Sequence, residues 1–541
     1  MGLDGHDSPP PRQLRPGRAL PRLEEGMSGQ YIVSHDVGTG GTKAVLVDAA
    51  GRTRHSCFEG YEVHYPRPHW AEQDPEDWWR AVTTSTRRLL EESGTAPGDV
   101  LCVTFSTQLL GVVPVDGQGQ PLRPAIIWLD ARAGRQAQQI MRKVLGPRVF
   151  AQIVGAEATG KDVLPKLLWL KENEGQVFSR TAKFLDVNGY LLYRCTEDLL
   201  CDWSAASATG LFDLKKKRWS DFLIRFFGLP REKFPELRRS TDEAGRLSKR
   251  SAEKLGLLEG TPVICGAGDV LAAAVGSGAV GEGEGHIYLG TSGWVGVVME
   301  RAYTGKSGIA TIQSADPSKC FLLAEMETAG ACLQWIADQF YRREQEDPEV
   351  ANVFRLMDEA VLGIEPGSDG LIFTPWMYGE RCPVSDIYVR SSFINLSADH
   401  RREHMLRAVY EGVAYNLRWM LDLLRDKFRY DQDTLRAIGG GARGDPWLQI
   451  ISDVTGKRVE RVAAPQEAGA VGAALIAAVG LGIYDGFPAL KDVVQVDTIF
   501  EPDGAKSTVY ERLYQCYREA YGCLKALYRR INTQRFAAVE K

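Results

Sequence analysis

The sequence lacks the features that would place it in several large functional classes. It has no apolar run approaching the roughly 18–20 residues of a membrane span, so no membrane association is predicted. Positive charge is not in excess: 65 Lys and Arg stand against 70 Asp and Glu, giving a net charge of −5. That balance argues against a nucleic-acid or polyanion partner. Ten cysteines are scattered without a CxxC pair or a Cys/His cluster of zinc spacing. They read as reduced thiols of a cytoplasmic protein, and no structural metal is expected. A Walker A loop is absent, and Gly266-Ala267-Gly268 has neither a third glycine in register nor a ribose-binding acid at the usual distance. A nicotinamide-dependent dehydrogenase is therefore disfavoured. Residues 1–26 carry no apolar stretch of a secretory signal and read as a disordered tail, with Met27 a candidate start.

What the sequence does contain begins at Tyr31, and its 541 residues exceed what one core usually supports, so two domains are expected. A strand through Ile32, Val33 and Ser34 runs into His35-Asp36-Val37-Gly38-Thr39-Gly40-Gly41-Thr42-Lys43, and strand resumes at Ala44. This predicts a β-hairpin with a Gly/Thr tip whose N–H and O–H groups can nest a phosphate. Asp36 beside that nest could hold Mg²⁺ through water. Asp74 and Pro75 predict a helix start, with the helix running to about Glu92. Ser106-Thr107-Gln108 ends a buried strand, a place where open α/β sheets bind ligands. Asp130 and Arg132 close another strand, either to bind hydroxyls or to pair with each other. Asp202 to Ser207 reads as a polar loop.

The stretch Val263 to Val275 predicts a strand end, a glycine turn and a buried helix, with Asp269 at the turn. Alone, Asp269 could be a helix cap. Strand, tip and strand then recur in His286 to Val298 around Gly290-Thr291-Ser292-Gly293. Two such hairpins, one opening each half, predict a duplicated domain with phosphate-binding turns facing across a cleft. A third turn, Gly439-Gly440-Gly441-Ala442-Arg443-Gly444-Asp445, precedes a helix, and Ala468 to Gly482 is a small-residue helix. The C-terminal stretch Thr508 to Ile531 puts Leu513, Tyr517, Tyr521, Leu524 and Tyr528 on one helical face, a docked closing helix. Two phosphate hairpins around one acid suit phosphoryl transfer, which needs positioning, charge stabilisation and a base for the attacking hydroxyl.

With these motifs together, the chain from Tyr31 to Leu527 resembles the FGGY family of carbohydrate kinases. The resemblance rests on Asp36 to Lys43, Gly268-Asp269, Gly290 to Gly293 and Ala329 to Trp335. Gly379 to Pro383, Tyr410 to Ala414 and Gly439 to Ala442 complete it. It implies an α/β, duplicated actin-like (RNase H-like) fold of two domains with an interdomain cleft. The expected partition is 27–273 for the sugar-binding domain, 274–497 for the nucleotide-binding domain and 498–541 for the closing helix. It further implies ATP and Mg²⁺ as cofactors. Thr39, Gly40, Gly41, Lys43, Gly290 and Thr291 would contact phosphates, Gly330 and Gln334 would lie along the nucleotide, and Gly441, Ala442 and Asp445 would hold adenosine. Asp269 would be the catalytic base, Asp36 the acid near Mg²⁺, and Glu411-Gly412 part of the fold.

The resemblance leaves the acceptor open. The two residues after Gln108, which contact substrate in relatives, are Arg-Glu-like in glycerol kinases and Met-His-like in xylulokinases. Here they are Leu109 and Leu110. Buried leucines offer a polyol no hydrogen bonds, which disfavours glycerol. A ketopentose such as xylulose is the expected substrate, bound by Gln108, Leu109, Leu110, Asp130 and Asp269. A ribulose-, erythritol- or glycerol-class kinase, or a catalytically silent actin-like nucleotide-binding protein, are the alternatives. No nucleic-acid partner is expected, and a homodimer is compatible with the sequence.

Overall fold

The computed structural model describes residues 29–144, 158–303 and 308–537, so the expected tail at 1–26 and the start at Met27 lie outside it. The strands that build the two main sheets are, in order, β1 (Tyr31–Val37), β2 (Gly41–Asp48), β3 (Thr53–Gly60), β4 (Val100–Thr107), β5 (Glu243–Arg246), β6 (Pro262–Ile264) and β7 (Ala267–Gly268) in the first. The second holds β8 (Gly285–Leu289), β9 (Gly293–Met299), β10 (Ile309–Gln313), β11 (Cys320–Met326), β12 (Thr434–Ile438), β13 (Arg458–Val462) and β14 (Val496–Phe500). The first sheet is ordered β5-β6-β4-β1-β2-β3, with β7 beside β4; the second is ordered β10-β11-β9-β8-β12-β13-β14.

The duplication is explicit in the pairing. In the first half the hairpin β1–β2 is antiparallel, and β4 lies parallel beside β1. The second half repeats this with β8–β9 antiparallel and β12 parallel beside β8. Both cores follow from near-continuous Val, Ile, Leu and Ala runs in the central strands, which are buried on both faces.

The helices follow local chemistry. Helix α1 (Pro75–Ser93) starts where Asp74 accepts from the Glu76 N–H, and it ends at Gly94 in the left-handed region. Helix α2 is Val163–Asn173 and α3 is Val187–Thr196. The segment read as a polar loop is instead helix α4 (Trp203–Ala208), because Asp202 caps it by accepting from the Ser204 and Ala205 N–H groups. Its serines turn inward, so polarity here marked buried hydrogen bonds rather than solvent. Helix α5 spans Asp269–Gly276 and runs unbroken across the 273/274 partition; we propose the domain boundary in the turn that follows it. Helix α6 is Gly330–Phe340, α7 is Arg402–Phe428 and α8 is Asp445–Thr455.

Helix α9 (Ala468–Gly480) belongs by sequence to the second half, yet it packs on β1, β4 and α5 of the first. Small residues permit this. A Cβ on Gly472 would fall 1.8 Å from the Ala272 carbonyl oxygen, and one on Gly276 would fall 1.9 Å from that of Ala468. The two backbones therefore touch at the seam between the halves. The last helix, α10 (Ser507–Ala537), buries Leu513, Tyr517 and Tyr528 in the second core, with Tyr521 and Leu524 partly buried against it. Glu411, on α7, is buried and accepts from the Gly367 N–H, Ser368 and Arg407, a fold-supporting role.

Candidate active site

A cavity of about 800 Å³ opens between the two sheets. Hairpin β1–β2 contributes Asp36, Thr39 and Lys43, hairpin β8–β9 contributes Tyr288, Thr291 and Trp294, and the start of α5 contributes Asp269. Leu109, Leu110 and Trp128 form one wall, and Lys161, Glu325 and Arg381 also line the cavity.

The turn that carries Asp269 is forced by its sequence. Gly266 has φ +71°, and a Cβ there would fall 2.0 Å from the Phe105 carbonyl oxygen, so only glycine fits. Gly268, not Asp269, is the N-cap of α5; the Asp269 Oδ1 accepts the Val270 N–H at 2.9 Å. The Gly268 N–H donates to Ser204 Oγ at 2.9 Å, and that hydroxyl donates to the buried Asp202 carboxylate. The base turn is thus held by a buried Asp202–Ser204 relay on α4. The other end of α4 reaches the second half, where Ser207 Oγ accepts the Gln313 N–H at 2.9 Å.

Electrostatics single out Asp269. Burial, then repulsion from Asp36 and Glu325, pushes its carboxyl up to about 7. Desolvation outweighs the helix N-terminus and the backbone N–H bonds that favour the ionised form. Asp36 is also raised, mainly by burial, and is partly compensated by Ser106, whose hydroxyl donates to it at 2.7 Å, and by Lys43. Lys43 Nζ donates to the Gln466 carbonyl at 3.0 Å, and Trp128 Nε1 donates to Thr39 Oγ1 at 2.8 Å. A carboxyl group poised near neutrality in a cavity shared with a glycine-rich hairpin can take a proton from a hydroxyl held beside it.

The structure brings together some of the expected residues and not others. Asp36, Thr39, Lys43, Leu109, Leu110, Asp269 and Thr291 line the cavity. Asp130 does not: it is fully buried, pairs with Arg132 at 2.6 Å and accepts the Ala71 N–H at 2.7 Å. Its carboxylate is consumed in holding the wall, so the salt-bridge reading replaces hydroxyl binding. Gln108 is also buried behind the wall, donating to Gln73 Oε1 at 2.8 Å and to the Gly38 carbonyl at 3.3 Å. Gly40 and Gly41 shape the first hairpin; a Cβ on Gly41 would fall 2.3 Å from the Phe58 ring. The Gly330 N–H donates to the Gly290 carbonyl at 2.8 Å, docking α6 on the second tip. Gln334 is exposed and donates to Asp338 at 2.8 Å. Gly441 and Ala442 lie beyond the cavity under Trp447 and Leu289, whereas their neighbours Gly439 and Gly440 line it. Asp445 is exposed and paired with Arg461.

Sequence reasoning missed Lys161, Glu325, Arg381, Lys166 and Ser204. Arg381 stood in a quoted motif without a role, Ser204 lay in the stretch read as a polar loop, Lys166 sits in a helix that gave no sign of its partners, and Lys161 and Glu325 come from segments with no local pattern. Arg381 pairs with Glu325 at 2.5 Å and Glu327 at 2.7 Å, and Lys161 crosses from the first half to Glu327 at 3.4 Å. Lys166 is buried behind the wall, donating to the Leu110 and Ile127 carbonyls at 2.9 Å each.

Comparison with known proteins decides the family. The N-terminal domain of the FGGY family of carbohydrate kinases matches residues 31–276, and its C-terminal domain matches residues 285–481. The chain belongs to the FGGY family of carbohydrate kinases. Its members are phosphotransferases that use ATP and an alcohol acceptor, and the fold is their actin-like duplicated one. The chain is 32% identical to a xylulose kinase of Lactococcus lactis over 91% of its own length and 96% of the relative's. It is 28% identical to a gluconokinase of Bacillus subtilis over 86% and 90% of the two chains. The ligand-bound xylulose kinase of Lactobacillus acidophilus superposes with a TM-score of 0.85 at 25% identity, covering 93% of this chain and 100% of that one. Gluconate kinase from the same organism superposes almost as well, with a TM-score of 0.84 at 25% identity and coverage of 93% and 99%. The relatives therefore agree on the chemistry and divide on the acceptor.

Proposed function

We propose that this FGGY kinase transfers the γ-phosphoryl group of ATP to a hydroxyl of a neutral sugar or polyol, of the ketopentose class that includes xylulose. The observation that carries this reading is Asp269, with a carboxyl raised to about 7, lining one interdomain cavity together with Asp36 and Lys43 of the first hairpin. Asp269 accepts the proton of the attacking hydroxyl. Lys43, Thr39 and Thr291, with the backbone of both tips, meet the phosphates and stabilise developing charge. The Asp202–Ser204 relay keeps the base turn in place, and approach of the two halves excludes water.

Among the described residues no group of three or more His, Cys, Asp or Glu side chains converges as a metal centre. Two raised carboxyl groups, Asp36 and Asp269, nevertheless share the cavity and repel each other. That donor set fits Mg²⁺ arriving with the nucleotide and held through water by Asp36; when bound, it neutralises phosphate charge. Gly441, Ala442 and Asp445, at the third glycine turn, remain the proposed adenosine side.

The gluconate reading is weakened by charge. Among the described residues the cations lining the cavity are Lys43, Lys161 and Arg381. Arg381 is paired with Glu325 and Glu327, and Lys161 with Glu327. Lys43 sits at the phosphate hairpin, so a substrate carboxylate would find no uncommitted partner. The cysteine pattern supports a cytoplasmic location: all ten are free and eight are buried.

An ADP-release screen of neutral ketoses, polyols and aldonates with Mg²⁺-ATP tests the proposal. Stimulation by neutral ketoses is expected. If no carbohydrate accelerates ADP release, the kinase assignment for this chain fails; if only aldonates do, the neutral-substrate assignment fails.

A further inference from the structure

The wall beside the first hairpin, joined to it by the Trp128–Thr39 hydrogen bond, has an unusual construction. Leu109 and Leu110 both face the cavity and are only half-buried, next to the apolar sides of Trp128, Leu164 and Pro165. Leu109 stands directly on the base turn: a Cβ on Gly268 would fall 2.2 Å from Leu109 Cδ2. Gly268 and Leu109 are thus fitted to each other one residue from Asp269. Leu110 has φ +62°, a left-handed conformation that leucine rarely adopts and that costs on the order of 1–2 kcal/mol.

A strained leucine persists only when its surroundings over-determine it. Here they do. The buried Lys166 amine donates to the Leu110 and Ile127 carbonyls at 2.9 Å each, clamping the strained residue to the strand end that carries Trp128. Ile127 is itself buried, and the adjoining Asp130 is fully committed to Arg132 and Ala71. The structure therefore spends buried polar groups on presenting hydrocarbon to the substrate. A hydroxyl pressed against this wall would lose its water without gaining a partner, whereas a methyl or methylene would be favoured.

We infer that the Leu109–Leu110 wall is an apolar subsite beside the base, and that the preferred acceptor is a deoxy ketose or polyol carrying a methyl or methylene where the parent sugar carries a hydroxyl. This deepens the kinase reading of the same cavity and rests on it. Lys166 is the positioning residue that holds the wall, and it touches no substrate itself.

The test pairs xylulose, ribulose and erythritol with their deoxy counterparts, each position removed in turn. Binding is read by calorimetry and phosphorylation by ADP release with Mg²⁺-ATP. One deoxy compound should bind about tenfold tighter than its parent, with kcat/KM favoured similarly. Leu110→Asn, whose side chain tolerates the left-handed region, should fold with a Tm no lower than the wild type and shift the preference at least threefold toward the parent. Lys166→Met should raise KM for the deoxy compound more than it lowers kcat, and Lys166→Arg should restore part of the loss. Parents that bind as well as or better than every deoxy counterpart, or no binding by either set, would overturn the inference. Preferential deoxy binding without phosphorylation would support the subsite and refute the kinase reading.

Discussion

The two hairpins occupy equivalent places in a duplicated fold, yet they present opposite chemistry to one cavity. In the first, Asp36 lies across from Lys43 in the β1–β2 register. In the second, the equivalent pair of β8–β9 is Tyr288 across from Trp294. The two rings stack with centroids 3.8 Å apart and planes 7° from parallel. All four side chains line the cavity. One hairpin therefore brings charge to the cavity, suited to the proposed metal and phosphates, while its twin supplies a stacked aromatic floor. Duplication preserved the backbone nest and let the side chains divide the work. A floor free of charge also leaves Asp269 in the low-dielectric surroundings that raise its carboxyl.

This division can be broken by mutation, and the largest effect belongs to the acid between the hairpins. Asp269→Asn should lower kcat by about 10²–10⁴-fold with KM for ATP nearly unchanged, measured by coupled ADP release. Asp36→Asn should cost about 10²-fold in kcat and weaken the dependence on Mg²⁺. Placing an acid on the twin, Tyr288→Asp in the Asp36→Asn background, should not rescue it, because that strand pairs with Trp294 rather than a lysine. A rescued double variant would show that the hairpins are interchangeable. Ser204→Ala removes the acceptor of the Gly268 N–H and should lower kcat about tenfold, with far less effect on KM; an equal rise in KM would mean that the relay serves binding instead. The smallest effect is on stability. A raised acid is bound to its proton more tightly in the folded state, so stability is lost as pH climbs from about 4 to about 7 and levels off above it. Asp269→Asn should therefore melt about 1–3 °C above the wild type at pH 8, by less at pH 5, and level with it below about pH 4.

Where the physics is local, the sequence was informative. Glycine spacing within two hairpins, the Asp74 cap and the Gly266 turn are dictated by neighbours a few residues away, and the strands and helices around them follow. Asp269 could be singled out because the turn, the helix and both hairpins converge on it. Asp130 reads as a substrate contact in the sequence, since an Asp and an Arg at a strand end serve hydroxyls or each other, and its partners Arg132 and the Ala71 N–H on a distant segment are visible only in the fold. The serines of α4 read as loop because their polarity was visible and their buried partners, Gly268 and Gln313, were not. Lys161, Glu327 and Arg381 meet only after the two halves come together, so no spacing announces them. Leu110 looked like an absence of hydrogen bonding; its left-handed backbone and its clamp by Lys166 make it a constructed feature.

The central claim is that Asp269 is the base and that its burial and Asp36 set its working range. The most direct test is the pH dependence of kcat/KM for the best sugar from pH 5 to 9, on wild type, Asp36→Asn and Asp269→Asn. The wild-type rate should rise with pH through about 7 as Asp269 loses its proton. The rise should move to lower pH in Asp36→Asn, where the repelling charge is gone, and the residual rate of Asp269→Asn should show no such limb. A wild-type profile that is flat across this range, or one that Asp269→Asn retains unchanged, would contradict the assignment.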